Sequence, residues 1–174
     1  MGEKKIIILN GKGGVGKDTL CKIAAKHYKT DMVSSIDPIK RIAEQIGWDG
    51  VKDSKSRRFL SELKRLCAEF NDFPTQYLMQ ETKKFLESEK VLLFVQIREP
   101  SEIDKFKSAV KGRFGITCHT LLIEQSHGRS IWENESDDNV TNYNYDYRYV
   151  NDSPLEQTED CFIAFLSSYM QKSI

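Results

Sequence analysis

The chain has 174 residues, about one domain, which is enough to bury a full core of mixed helices and strands. Its 26 basic and 26 acidic side chains cancel, leaving no global electrostatic case for a nucleic-acid or membrane partner and favouring a small anionic ligand at a local basic site. No apolar stretch approaches the roughly 20 residues that cross a bilayer, so a soluble, cytoplasmic protein is expected.

In chain order, Lys5–Asn10 is a continuous β-branched run and reads as a buried strand. Gly11-Lys12-Gly13-Gly14-Val15-Gly16-Lys17-Asp18-Thr19 follows, and 16–28 then carries Leu20, Ile23, Ala24 and His27 on one helical face. Strand, glycine loop and helix together are the context of a phosphate-binding loop. Glycines let backbone N–H groups converge on phosphate oxygens, and the lysine offsets their charge. Most such loops place Ser or Thr directly after the lysine to ligate Mg²⁺, whereas here Asp18 stands there and Thr19 comes one later.

A short apolar run at 32–36 leads to Asp37-Pro38 and a helix through Ile39, Ile42, Ala43 and Ile46. Asp37 is the expected N-cap and Pro38 the first helical residue. At 56–71 the positions Phe59, Leu60, Leu63, Leu66, Cys67 and Phe70 recur at helical spacing, with Arg57, Arg58, Lys64 and Arg65 on or beside the polar face. Asp72-Phe73-Pro74 breaks that helix, and another runs to about Ser88. The clearest strand of the second half is 91–97, closed by Arg98-Glu99-Pro100, so Arg98 stands at a strand's carboxyl end. A helix at 101–110 and a strand at 119–123 follow.

Segment 125–142 is polar and poor in apolar residues, the composition of a surface lid. Tyr143, Tyr145, Tyr147 and Tyr149 then alternate as a last strand before Asn151-Asp152-Ser153-Pro154 opens a final helix. Cys21, Cys67, Cys118 and Cys161 lack metal-ligand or disulfide spacing and read as reduced thiols. Strands separated by helices throughout predict one α/β domain over 1–174, with a parallel sheet of about five strands covered on both faces.

Several strings, taken in order, resemble the P-loop nucleotide kinases of the deoxynucleoside monophosphate kinase type, with phosphomevalonate kinase as a distant cousin. They are Gly-Lys-Asp-Thr at 16–19, Asp37-Pro38-Ile39-Lys40, Arg98 after the third strand, Glu135-Ser136-Asp137-Asp138, and Tyr149-Val150-Asn151-Asp152. The resemblance implies a three-layer P-loop NTPase fold of the nucleoside monophosphate kinase kind, with an acceptor-binding helical region at about 37–90 and a lid at about 125–142. It implies ATP and Mg²⁺ as cofactors and a small phosphate-bearing acceptor, a nucleotide, in a monomer or homodimer.

Roles follow from that resemblance and from the chemistry of phosphoryl transfer, in which positioning and charge stabilisation outweigh any base. Lys17 with the backbone of Gly11, Gly13, Gly14, Val15, Gly16, Asp18 and Thr19 is expected to hold the donor phosphates, and Asp18 or Thr19 to order Mg²⁺. Asp37 is expected to hydrogen-bond the acceptor, to take part in metal binding, or simply to cap its helix, and Lys40 lies beside it. Arg98 suits bidentate capture of the acceptor phosphate. Arg58 and Arg65 are further acceptor candidates, although a charge run on a helix is ordinarily its solvated face. Arg129 is the lid cation, and Asn151 with Asp152 matches the segment near the donor base. One departure stands out: that family commonly carries Asp two positions before the arginine, and here that residue is Gln96.

Two rival readings keep part of this evidence. The acceptor can be another phosphorylated metabolite. Alternatively, Lys12 with Lys17 resembles the two-lysine loop of partition-type and nitrogenase-iron-protein-type ATPase switches. Against the switch, Asp18 replaces its hydroxyl residue and no Asp-x-x-Gly motif follows 91–97.

Overall fold

The computed structural model describes residues 3–126 and 140–172. Five strands form one sheet: β1 (Lys5–Asn10), β2 (Thr30–Ser34), β3 (Leu92–Gln96), β4 (Cys118–Glu124) and β5 (Tyr147–Val150). Their order is β2-β3-β1-β4-β5 and every pairing is parallel. The helices are α1 (Lys17–His27), α2 (Asp37–Gln45), α3 (Ser54–Asn71), α4 (Phe73–Glu87), α5 (Pro100–Phe114) and α6 (Leu155–Gln171). Among the described residues no helix is long and apolar enough to cross a membrane.

β1 lies centrally between β3 and β4, which is why its whole length is buried and Ile6–Leu9 are apolar. Its alternating side chains feed two cores. Ile6 and Ile8 join Leu93, Val95, Leu78 and Phe85 of α4, and Ile103 and Phe106 of α5. Ile7 and Leu9 join Leu92, Phe94, Leu20 and Ile23 of α1, and Phe162 and Leu166 of α6. A smaller cluster packs Ile39 and Ala43 of α2 against Leu60 of α3.

Two adjacent lysines enter this core, although beside an apolar run they look like solvated flanks. Lys4 donates to the carbonyls of Phe85 (3.0 Å), Ser88 and Lys90 (2.9 Å), closing the end of α4. Lys5, only 1% exposed, donates to the carbonyls of Tyr169 (3.2 Å) and Lys172 at the end of α6, with its ammonium 5.1 Å from the Tyr169 ring centre. A cation at a helix C-terminus meets both the unpaired carbonyls and the negative end of the dipole.

Local boundaries depart from the sequence expectation in four places. β2 starts two residues earlier than expected, at Thr30, because pairing with Leu92 of β3 sets its register. The N-cap of α2 is Ile36, so Asp37 is already helical and its carboxylate turns back to accept from the Ser34 N–H at 2.8 Å. The tyrosine alternation is strand only at Tyr147–Val150, while Tyr143 and Tyr145 precede it. His27 is not inward; it is half-exposed and pairs with Glu159 of α6 at 2.8 Å.

The four cysteines are free. Burial pushes the Cys21 and Cys118 thiols up to about 12, so both stay protonated and inert. Helix α3 differs most from its pattern: Lys64 is buried, whereas Leu66 and Phe70 are 52% and 86% exposed.

Candidate active site at the carboxyl edge of the sheet

The helix after β1 covers one face of the sheet and the helix after β3 covers the other. β1 and β3 are neighbours, so the chain leaves them in opposite directions and a crevice opens beyond their carboxyl ends. The loop 11–16 lies after β1 and Arg98 lies after β3, one on each side of that crevice.

The loop is fixed by close contacts that exclude side chains. Gly11 has φ +150°, and a Cβ there would stand 2.5 Å from the Ile123 carbonyl oxygen. Gly16 has φ +91°, and its Cβ would stand 2.6 Å from the side-chain nitrogen of Asn151. That same nitrogen donates to the Val15 carbonyl at 3.0 Å. Asn151 thus braces the loop from the end of β5, a contact that the match to a base-binding segment did not suggest. Asp152 accepts from the Ser126 N–H at 2.8 Å and ties β5 to the end of β4.

Lys17 crosses the loop and donates to the carbonyls of Gly11 (2.6 Å) and Lys12 (2.8 Å). Its ammonium is therefore held against the backbone where the chain enters the loop. Gly13, Gly14, Asp18 and Thr19 are exposed, and Lys12 is exposed beside them. Asp18 accepts a 2.8 Å hydrogen bond from the Gln96 side chain at the end of β3.

Asn10 organises the crevice floor and was not singled out in the sequence. It is 1% exposed. Its oxygen accepts from the Gly11 N–H at 2.9 Å, and its nitrogen donates to the Arg98 carbonyl (3.0 Å) and the Tyr145 hydroxyl (2.8 Å). Tyr145 in turn donates to the Val140 carbonyl at 2.7 Å. One buried amide thereby links the loop entrance, the Arg98 backbone and the chain just before β5. The only local signal was a polar residue closing an apolar run.

The acceptor-side candidates divide. The Arg98 side chain is exposed, and its backbone carbonyl is held by Asn10. Next to it, Glu99 receives Lys64 of α3 at 2.5 Å, so the cation that α3 sends toward the site is Lys64. Burial alone would raise the Glu99 carboxyl, but the charge and hydrogen bond of Lys64 outweigh it and hold that carboxyl below its usual range. Arg65 is committed to Glu62 (3.1 Å) and Glu69 (2.7 Å) on its own helix. Arg58 is exposed and Lys40 half-buried. Arg41, one residue on, donates to the Tyr77 hydroxyl of α4 at 3.3 Å and lies over its ring. Arg129, the acidic string at 135–138 and most of the expected lid lie outside the described residues.

Among the described residues no three His, Cys, Asp or Glu side chains gather as a metal centre. A cation bound beside the loop would find Asp18 or Thr19 as side-chain ligands and would otherwise need phosphate oxygens and water. That donor set fits Mg²⁺, which commonly takes one or two carboxylates and completes its shell with substrate phosphates.

No protein-family model matches this chain, and no curated protein matches it in sequence. Solved structures resemble it in fold. A candidate kinase from Chloroflexus aurantiacus superposes with a TM-score of 0.63 at 11% identity, covering 98% of this chain and 98% of that one. The tunicamycin resistance protein of Deinococcus radiodurans gives 0.53 at 13% identity, covering 94% and 96%. The signal recognition particle receptor FtsY of Elizabethkingia anophelis gives 0.50 at 11%, covering 86% of this chain and 51% of the receptor. Likeness at such identity concerns architecture, and it spans a receptor as well as a candidate kinase. The chain is therefore an α/β protein, a five-stranded parallel sheet flanked by helices, and it shares that architecture with these neighbours.

Proposed function

We propose that this protein transfers the γ-phosphoryl group of ATP, with Mg²⁺, to a nucleoside or deoxynucleoside monophosphate. The observation that supports the reading is a braced glycine loop bearing Lys17 after β1, with a second cation, Arg98, in the sequence just after the adjacent strand β3. A donor site alone needs only the first. A phosphate-bearing acceptor needs the second.

In this reading the N–H groups of 11–16 and the Lys17 ammonium hold the β- and γ-phosphates, with Lys17 giving up two loop carbonyls for phosphate oxygens. Arg98 grips the acceptor phosphate bidentately, and Asn10 holds its backbone. The acceptor monoester has a second pKa of about 6 and is mostly dianionic at pH 7, so no general base is required. Mg²⁺, held by Asp18 or Thr19, supplies charge that offsets the phosphate oxygens. Asp37, Lys40 and Arg58 remain acceptor-side candidates on α2 and α3, with Arg129 as the lid cation. Arg65 is the weakest of the set, since both its neighbours on α3 already neutralise it.

A second reading, a kinase acting on another phosphorylated metabolite, is favoured by one feature. An open, shallow depression where α2, α3 and the start of α4 meet is lined by Ile42, Leu66, Cys67, Phe70, Asn71 and Phe73, an apolar surface compatible with an acceptor that has an apolar body.

The test is ADP formation from ATP and Mg²⁺ with a panel of ribo- and deoxynucleoside monophosphates. One acceptor should release ADP, and Arg98→Ala should lower kcat/KM for it by roughly 100-fold, about 2.7 kcal/mol, with ATP affinity little changed. An unaltered acceptor dependence in that variant would reject the Arg98 role.

A further inference from the structure

In P-loop enzymes generally, Mg²⁺ is held between a hydroxyl on the loop and an Asp on a neighbouring strand. This chain has neither residue at those places. The position after Lys17 is Asp18, and the end of β3, the strand beside β1, carries Gln96. The two side chains meet: the Gln96 amide nitrogen donates to Asp18 Oδ1 at 2.8 Å. The same nitrogen lies 3.4 Å from Met32 Sδ of β2. Turning the amide over would set its oxygen against a carboxylate, so this orientation is the one the charge permits.

We infer that Asp18 and Gln96 are an exchanged pair, with the metal-facing acid moved from the strand to the loop and Gln96 acting as the positioning residue that aims it. The inference rests on the nucleotide-binding reading above and deepens it. Asp18 is exposed at the start of α1, where an unheld side chain samples several rotamers. One charge-assisted hydrogen bond from a half-buried strand residue selects among them. Gln96 is itself pinned, because its backbone belongs to the ladder with Leu9 and Ser34 and its carbonyl accepts from the Ser35 N–H at 3.1 Å.

A consequence concerns the order of binding. A single carboxylate with an amide partner offers a bare divalent ion one charged ligand, too few for a stable site without phosphate oxygens. The cation then enters with the nucleotide, and Asp18 contributes to affinity only when both are present. Without the metal, Asp18 is a negative charge beside the phosphates and works against binding.

Calorimetric titration with a non-hydrolysable ATP analogue, with and without Mg²⁺, separates these effects, and the EPR spectrum of Mn²⁺ bound with ADP reports the metal's surroundings directly. Asp18→Asn should bind the analogue at least as well as the parent without Mg²⁺ and should lose the Mg²⁺-dependent gain. Gln96→Ala should keep the metal-free affinity and cut the gain by roughly tenfold, the lower end of what loss of a supporting partner costs a metal site. The reciprocal double variant Asp18→Asn with Gln96→Glu rebuilds the same hydrogen bond in reverse, and should recover the gain to within about tenfold of the parent. Metal-free affinity near that of the parent in each variant reports an intact loop. The proposal is overturned if Asp18→Asn keeps the Mg²⁺ gain, if Gln96→Ala leaves both the gain and the Mn²⁺ spectrum unchanged, or if the double variant is no better than Asp18→Asn alone. If the parent protein binds no nucleotide, the underlying reading falls with it; if it binds and only the variants disagree, the exchange alone is wrong.

Discussion

Replacing Asn10 by Ala should destabilise the protein more than any other single polar change at the crevice. Three hydrogen bonds are lost: from Gly11 N–H, to the Arg98 carbonyl and to the Tyr145 hydroxyl. At about 1 kcal/mol net for each, the direct loss is about 3 kcal/mol. The Gly11 N–H is then left without that partner in a buried position, and the Arg98 carbonyl in a partly buried one, which keeps the figure from being smaller. Tyr145 retains its bond to Val140, so its share is the least. Against a typical total stability of about 5–15 kcal/mol, this is a large fraction. For a chain of this size it corresponds to a fall in Tm of about 6–12 °C. Urea unfolding followed by far-UV circular dichroism measures it, as a lowered midpoint at unchanged slope. Tyr145→Phe provides the control, expected to cost about 1–2 kcal/mol because Asn10 keeps its other two bonds. A loss below about 1 kcal/mol for Asn10→Ala, or a larger loss for Tyr145→Phe, would refute the view that Asn10 is the hub.

Lys5→Met keeps the length of the side chain but removes the cation from the end of α6, taking that donor from the Lys172 carbonyl and leaving the Tyr169 carbonyl with the Lys172 N–H at 3.3 Å. Thermal unfolding should show a loss of about 2 kcal/mol, and equal stability would mean that the buried ammonium contributes no net energy. A pH effect follows from Glu99. Its carboxyl is held below the usual value of 4.5, so the stabilisation is fully present above that pH and is lost as pH falls through the folded value. Lys64→Met removes the cause, and stability measured from pH 6 downward should then decline less steeply through the acid range than in the parent. An identical profile would show that the pair is not coupled to folding.

Much of this architecture is visible in local patterns. The buried run before Gly11, the glycine spacing and the polar break at Arg98-Glu99-Pro100 each depend on residues a few positions apart, and each lies where those patterns put it. What joins them does not. Asn10 reaches Arg98 and Tyr145 across 88 and 135 positions, and Asn151 reaches Val15 across 136, so no window of sequence contains the contact. Periodicity also misjudged α3. It groups Leu66 and Phe70 with Leu60, yet Leu60, with Leu63 and Cys67, packs against α2 while Leu66 and Phe70 stay exposed, and Lys64 turns inward because Glu99 offers it a charge. Hydrophobic spacing identifies the helix but not which part of its stripe finds a neighbour. Asp37 illustrates a one-residue shift with a chemical consequence, since one oxygen of its carboxylate accepts from the Ser34 N–H at the first residue of α2 instead of capping the helix.

The central claim is phosphoryl transfer to an acceptor, and phosphorus NMR of a reaction with ATP, Mg²⁺ and the active monophosphate tests it most directly. The account predicts that ADP and the phosphorylated acceptor appear in equal amounts, that neither forms without acceptor, and that Lys17→Ala abolishes both while remaining folded. ADP accumulating with inorganic phosphate in the absence of any acceptor would contradict it and identify an ATPase instead.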